Sequence, residues 1–480
     1  MDILWQRQKH LFIILRTLPA DCWIIVDQIY VSGNIFRSSD SLILLAFQNM
    51  TRTPTKKEWR RFKRYAARVV ELFVGKTHGG TVSSETISFL GMQSILDPLW
   101  PRLTSLRLTG GLSLAVVPTL TLLSPKITSL ALTIPQGSDI LLQPMLSIAS
   151  NRCHSLRELV LDVLVGDSAS ACVVGGLISA SRDTLRTLEI KSLFKAEYLP
   201  FIADLPHLQS LKLRKASFPH YIPPNALPSL EEVTILRFQG QRLQDFFKRL
   251  CTTVLRVVNI GGTISATTFE ELVAALSRFS ASLTTLKVTN VSNLVLPNVV
   301  APGLLFANLK YLHVGCLCVG EGTHAQCAFQ PTDQTIAQLG AATPNIAHLT
   351  LGNPTCRALQ CATFLSLVSL SKTCQNLETL DLKVDFQTMV TPSLPRSENV
   401  ETGAASAGPQ DNPCKLHTLA VGLSTLPDHS ESRWIVAIGL GKIFPSLSKV
   451  VGHHDSDRHK WEEVRNNIGL LRQVLCTVQQ

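Results

Sequence analysis

Aromatic residues are scarce in this chain of 480 residues: Phe, Trp and Tyr together supply 6% and charged side chains 17%, while 45% of residues are hydrophobic. Aliphatic side chains must therefore build the core. Also missing is any run of roughly twenty apolar residues, the length a membrane-spanning helix needs. The N-terminal run Leu11–Leu15 stops at Arg16 with no small-residue cleavage site behind it, so it does not read as a secretory signal. These absences predict a cytoplasmic or nuclear protein whose 12 cysteines are mostly free thiols.

Catalytic signatures are absent too. Gly439-Leu440-Gly441-Lys442 lacks the upstream glycine of a phosphate-binding loop and is followed by Ile443. No G-x-S-x-G elbow, H-E-x-x-H helix or dinucleotide fingerprint occurs. Cys316, Cys318, His324 and Cys327 share one segment, and His453, His454, Asp455, Asp457 and His459 another, but neither spacing matches a structural zinc site. No catalytic residue, metal site or cofactor is assigned, and the chain is not expected to be an enzyme.

What the chain does have is a repeat. From Leu103 onward the pattern L-x-x-L-x-L, with Ile or Val substituting, returns every 22 to 39 residues. Its instances begin at Leu103, Ile127, Leu156, Leu185, Leu208, Leu230, Leu255, Leu283, Leu309, Ile346, Leu377 and Leu416, with a degenerate one at Leu447. Positions four and six alternate as a short strand requires. Segments between them, such as Leu141–Ala149, Phe269–Ser277 and Phe364–Leu370, have helical spacing. The predicted fold is α/β: a leucine-rich-repeat solenoid with a curved parallel sheet and outer helices. Residues 1–100 are expected to form a helical N-terminal cap region and 101–480 the solenoid. A disordered insertion is expected near 391–413, which is rich in Pro, Gly, Ser and Ala. The Asn that common leucine-rich repeats place after the third apolar position is absent from nearly every unit; Gly111, Pro354 and Asp385 stand there instead.

Thr55 and Glu58 have capping-box spacing, and Trp59, Phe62, Ala66, Val69, Val70 and Phe73 follow on one helical face. The other face carries Lys56, Lys57, Arg60, Arg61, Lys63, Arg64 and Arg68, which read as an ordinary solvated face. The formal charge of +10 favours acidic partners. Its density is modest, so neither a membrane nor a nucleic-acid partner is expected.

The opening Asp2-Ile3-Leu4-Trp5 with Leu11–Pro19 behind it, the segment Lys57–Leu72 and the repeats together resemble the F-box/leucine-rich-repeat proteins that basidiomycete fungi carry in many copies. The resemblance implies a substrate-recognition subunit of a ubiquitin ligase. In that family an F-box docks a Skp-type adaptor, and the family register places it ahead of Met1. The F-box is therefore expected to be truncated or lost here, and the adaptor is a partner only if one lies upstream. An F-box-less interaction scaffold is the alternative, with a basic nucleic-acid-binding protein behind it.

Alternation leaves the third, fifth and seventh motif positions on the exposed concave sheet. That rule selects Lys191, Lys212, Arg214, Lys287, Tyr311, His313 and His348 as a partner-binding stripe for an acidic segment of an unknown protein. Glu158, Asp162 and Glu189 are expected before the stripe and Asp381 beyond it.

Overall fold

The structure is a computed structural model describing residues 23–29, 44–50, 52–74, 81–82, 86, 89–90, 92, 99–109, 123–134, 139–163, 168–194, 196–216, 223, 226–238, 243–292, 306–316, 331–353, 356, 362–389, 413–424, 426–452 and 458–479. Cys318, His324, Cys327, His453, His454, Asp455 and Asp457 lie outside the described residues, as does the 391–413 segment up to residue 412. The chain divides into two compact units, Met1–Leu230 with Arg249–Thr252, and Glu231–Lys248 with Thr253–Gln480.

The first unit opens with β1 (Trp23–Ile29) and β2 (Leu44–Met50), antiparallel with Trp23 opposite Met50. Helix α1 (Lys56–Ala66) carries the expected capping box: the Thr55 hydroxyl accepts from the Glu58 N–H at 3.3 Å, and Glu58 Oε2 accepts from the Thr55 N–H at 2.7 Å. The Glu58 carboxyl is pushed down to about 2, first by Arg52 and then by the Thr55 N–H. Strand β3 (Glu71–Val74) follows, and β4 (Thr81–Val82) pairs with β2.

Two expectations are corrected here. The N-terminal hundred residues are not all helical, because runs such as Trp23–Val26, rich in β-branched and aromatic residues, favour extended chain. The helix expected to reach Phe73 stops at Ala66, and the parallel sheet starts at β3 rather than near Leu103. Val69, Leu72 and Val74 are 0%, 2% and 1% exposed, which makes this segment one more repeat. The helical face and the repeat share only Val69, whereas Leu72 and Val74 are buried alternately, as a strand requires.

From β3 the first unit continues through β5 (Ser105–Leu108), β6 (Ser129–Ile134), α2 (Asp139–Arg152), β7 (Glu158–Val163), α3 (Ser168–Ala180), β8 (Thr187–Phe194), α4 (Leu199–Ala203) and β9 (Ser210–Ala216). Each strand from β3 to β9, β4 excepted, pairs parallel with the next. The second unit runs β10 (Glu232–Ile235), α5 (Leu243–Arg249, its last residue in the first unit), β11 (Val257–Ile260), β12 (Ile264–Ser265), α6 (Ala266–Leu276), β13 (Thr285–Ser292), β14 (Tyr311–Cys316), α7 (Asp333–Ala342) and β15 (His348–Leu351). It ends with α8 (Phe364–Thr373), β16 (Thr379–Leu382), β17 (Thr418–Gly422), α9 (Ser430–Ile443), β18 (Lys449–Gly452) and α10 (Arg458–Gln479). Its strands are also parallel, in chain order, with β12 paired to the side of β13. The chain is thus an α/β leucine-rich-repeat solenoid.

Packing follows the motif. Leu208, Leu211 and Leu213 are 0%, 1% and 1% exposed. Each fully buried leucine of this kind stabilises the fold by about 1.5–3 kcal/mol relative to exposure. The helices close the other side: α6 buries Phe269, Leu272, Val273 and Leu276 at helical spacing, and α8 buries Leu367 and Leu370. At the C-terminal end Trp461 of α10 is buried edge-on to Phe386, and the Arg433–Glu463 pair at 2.8 Å ties α9 to α10.

Register is set where each strand begins. In successive repeats the carbonyl at motif position two accepts the N–H groups of positions two and three of the next repeat. Arg157 O takes those of Arg186 and Thr187 at 2.8 and 2.9 Å, and Lys310 O those of Ala347 and His348 at the same distances. A side-chain ladder runs beside it: Asn308 Nδ2 donates to Ala281 O, Asn345 Nδ2 to Ala307 O, and Asn376 Nδ2 to Asn345 Oδ1. Asparagine is therefore present in these repeats, just before the first apolar position rather than after the third.

Candidate functional site

The outward face of each sheet is built by strand alternation. On β8 the side chains from Thr187 to Phe194 alternate between partly exposed and buried, as do Tyr311 to Val314 on β14. All seven expected residues occupy outward positions: Arg214 and Lys287 are exposed, and Lys191, Lys212, Tyr311, His313 and His348 are partly exposed. Lys191, Lys212 and Arg214 belong to the first unit and the other four to the second.

In the second unit the pairing brings these residues together. Lys287 on β13 lies directly opposite His313 on β14, and Tyr311 opposite His348 on β15. The Tyr311 and His348 rings have centroids 5.8 Å apart, inclined at 46°. His348 is fixed by a 2.6 Å hydrogen bond between Nδ1 and Thr379 Oγ1, with Glu378 Oε2 4.0 Å from Nε2. His313 is held below its ordinary value, first by burial and then by the Lys287 ammonium, so it presents a neutral imidazole at neutral pH. The result is a tyrosine and two imidazoles held beside one exposed lysine.

In the first unit the expected separation of charge does not hold. Glu189, expected before the basic residues, lies opposite Lys212 on the neighbouring strand and 3.7 Å from the Lys191 ammonium. In-register pairing places residue 189 beside 212, a neighbourhood that distance along the sequence hides. An exposed pair of this type contributes about 0–1 kcal/mol, so Lys191 remains able to exchange Glu189 for another acid.

The buried cysteines do structural work. Burial pushes Cys153 up to about 12 and Cys374 up to about 11, which makes both poor nucleophiles. Cys374 Sγ faces the carbonyls of Gly340 and Thr343, and Cys414 Sγ those of Cys374 and Leu377. Cys316 is buried at the end of β14, and among the described residues no three His, Cys, Asp or Glu side chains are grouped to hold a metal ion. No helix among the described residues is long and apolar enough to cross a membrane.

Sequence reasoning missed a second cluster, in the first unit at the start of the strands. Arg157 and Arg186, both at motif position two, line an open cleft of about 180 Å³ with Asp183, Thr184 and His207. The signal was available, since each arginine directly follows a motif leucine, but only the strand register shows that they are neighbours.

No family model matches the chain, and no curated protein matches it. Among solved structures it is similar to the complex of Rad7 and Elc1 in yeast, at 13% identity and a TM-score of 0.40, over 79% of this chain and 85% of that one. It is also similar to the internalin inlF of Listeria monocytogenes, at 14% identity and a TM-score of 0.32, over 82% of this chain and 83% of that one.

Proposed function

We propose that the chain is a protein-interaction module without catalytic activity of its own, corresponding to the substrate-recognition part of an F-box ubiquitin-ligase subunit. The observation that carries the reading is the outward patch of Lys287, Tyr311, His313 and His348. In-register strands hold a tyrosine, two imidazoles and a cation at fixed spacing on a rigid sheet. Tyrosine is enriched among interface hot spots, and a pre-ordered aromatic loses little entropy when a partner covers it. The cation and the net charge favour an acidic protein segment. Lys191, Lys212 and Arg214 form a corresponding patch in the first unit.

The test uses the full chain and a glutamate-rich peptide as probe. Tyr311→Ala combined with Arg214→Glu abolishes binding and leaves the thermal melt nearly unchanged, whereas Lys56→Glu on α1 has little effect. Binding that survives the double variant but disappears with Lys56→Glu transfers the site to α1. A pull-down with a Skp-type adaptor separates the ligase reading from an adaptor-free scaffold: no retention at micromolar protein favours the scaffold.

A further inference from the structure

The strand-entry cleft of the first unit is chemically unlike the sheet face. Arg157 and Arg186 follow Leu156 and Leu185 at the same motif position, and Arg157 O accepts the Arg186 N–H at 2.8 Å. Their backbones are therefore one strand spacing apart, about 4.8 Å. Two like charges side by side are unfavourable unless something lies between them. The second unit shows the usual remedy: Arg256, at the same motif position, has Glu231 of the preceding repeat 3.9 Å away. Among the described residues neither Arg157 nor Arg186 has a carboxylate within ion-pair distance.

The remaining lining refines the chemistry. His207 adds a ring nitrogen from the next repeat, and Thr184 anchors the turn by donating its hydroxyl to Leu156 O at 2.7 Å. Asp183 stands in the same lining and opposes anions weakly, one carboxylate against two guanidinium groups. One ligand carboxylate matches a single guanidinium fork, whereas two adjacent forks match the oxygens and double charge of a phosphate monoester. A volume of about 180 Å³ admits such a group together with water.

We propose that the cleft formed by Arg157, Arg186 and His207 binds a phosphate dianion, either the monoester group of a phosphorylated side chain or free inorganic phosphate. It stands independently of the sheet-face reading, since it shares no residue with that patch.

Titration calorimetry of the full chain with a short phosphoserine peptide, its unphosphorylated twin and inorganic phosphate tests the assignment. Expected is a phosphate-dependent dissociation constant of about 1 mM or tighter, with no binding of the twin. Arg157→Ala and Arg186→Ala each weaken it at least about fivefold, because a charge-assisted bidentate contact is lost. Arg186→Lys, which keeps the charge and loses the fork, falls between. Asp183→Asn tightens binding, and Arg107→Ala, an exposed cation elsewhere in the unit, leaves it unchanged. Arg157→Gln serves if an alanine variant fails to fold. A phosphopeptide at least about tenfold tighter than inorganic phosphate, a gain of about 1.4 kcal/mol, identifies a phosphoprotein as the source, and near-equal affinities identify a free phosphate. Equal binding of the phosphorylated and plain peptides, or arginine variants no weaker than Arg107→Ala, overturns the proposal.

Discussion

Asp333, at the start of α7, holds the start of the next helix as well. Its Oδ1 accepts the Thr363 N–H at 2.7 Å and also the Ser366 hydroxyl, and its Oδ2 accepts the Thr363 hydroxyl at 2.6 Å. Thr363 is the N-cap of α8, so one carboxylate links two consecutive repeats, and a backbone bridge from Thr363 to Asp385 joins that cap to the third. Hydrogen bonds to a charged acceptor contribute about 1.5–3 kcal/mol each when sheltered. Asp333 is only partly buried, and roughly halving that sum gives about 2–4 kcal/mol for Asp333→Ala. Ser366 is fully buried, and the alanine variant leaves its hydroxyl without this acceptor. The double variant Asp333→Ala/Ser366→Ala should therefore be less unstable than the sum of the two singles by about 1 kcal/mol. Urea denaturation measures the totals, and amide hydrogen exchange in α8 reports the local opening. A loss below about 0.5 kcal/mol with unchanged exchange in α8 would refute the role given to this carboxylate.

Leu211→Ala in β9 should cost about 2–5 kcal/mol, since the side chain is 1% exposed and its removal leaves a cavity; a well-folded variant losing under about 0.5 kcal/mol would contradict core placement. His313 should titrate below the ordinary value of about 6.5, and Lys287→Gln should raise its midpoint only part of the way because burial, the larger cause, remains. The unfolded chain takes up this proton first, so the stability linked to His313 is fully present above about pH 6.5 and is lost as pH falls below it. An NMR midpoint at or above 6.5 would remove the cause assigned here.

The repeats could be read because a burial pattern at positions one, four and six is a property of each strand alone. β3 is hidden for the opposite reason: Val69, Val70 and Phe73 continue the apolar face of α1, and only the end of the helix at Ala66 lets Leu72 and Val74 alternate as a strand. Likewise, alternation identified Tyr311 and His348 as outward without showing that their rings meet. Contacts such as Glu189 with Lys212, or Arg157 with Arg186, depend on which residues of different repeats share a register, and one motif does not contain that information. The ladder from Asn308 to Asn376 is not legible in the motif, because the familiar repeat places its asparagine after the third apolar position and these stand before the first.

The paired hydrogen bonds at strand entry bear on where this protein tolerates new sequence. The same carbonyl-to-two-amides junction closes across 37 residues, from Leu309 to Ile346, and across 39, from Leu377 to Leu416, where Glu378 O takes the N–H groups of His417 and Thr418. Between Leu185 and Leu208, 23 residues apart, Arg186 O makes the identical junction with Gln209 and Ser210. Alignment between neighbours is thus uncoupled from the length of chain joining them, and loop-closure entropy grows only logarithmically with that length. A foreign peptide spliced in after a strand can lengthen one repeat while its flanking strands keep their partners. The same peptide placed before a strand, among the residues that carry the junction, would separate two repeats.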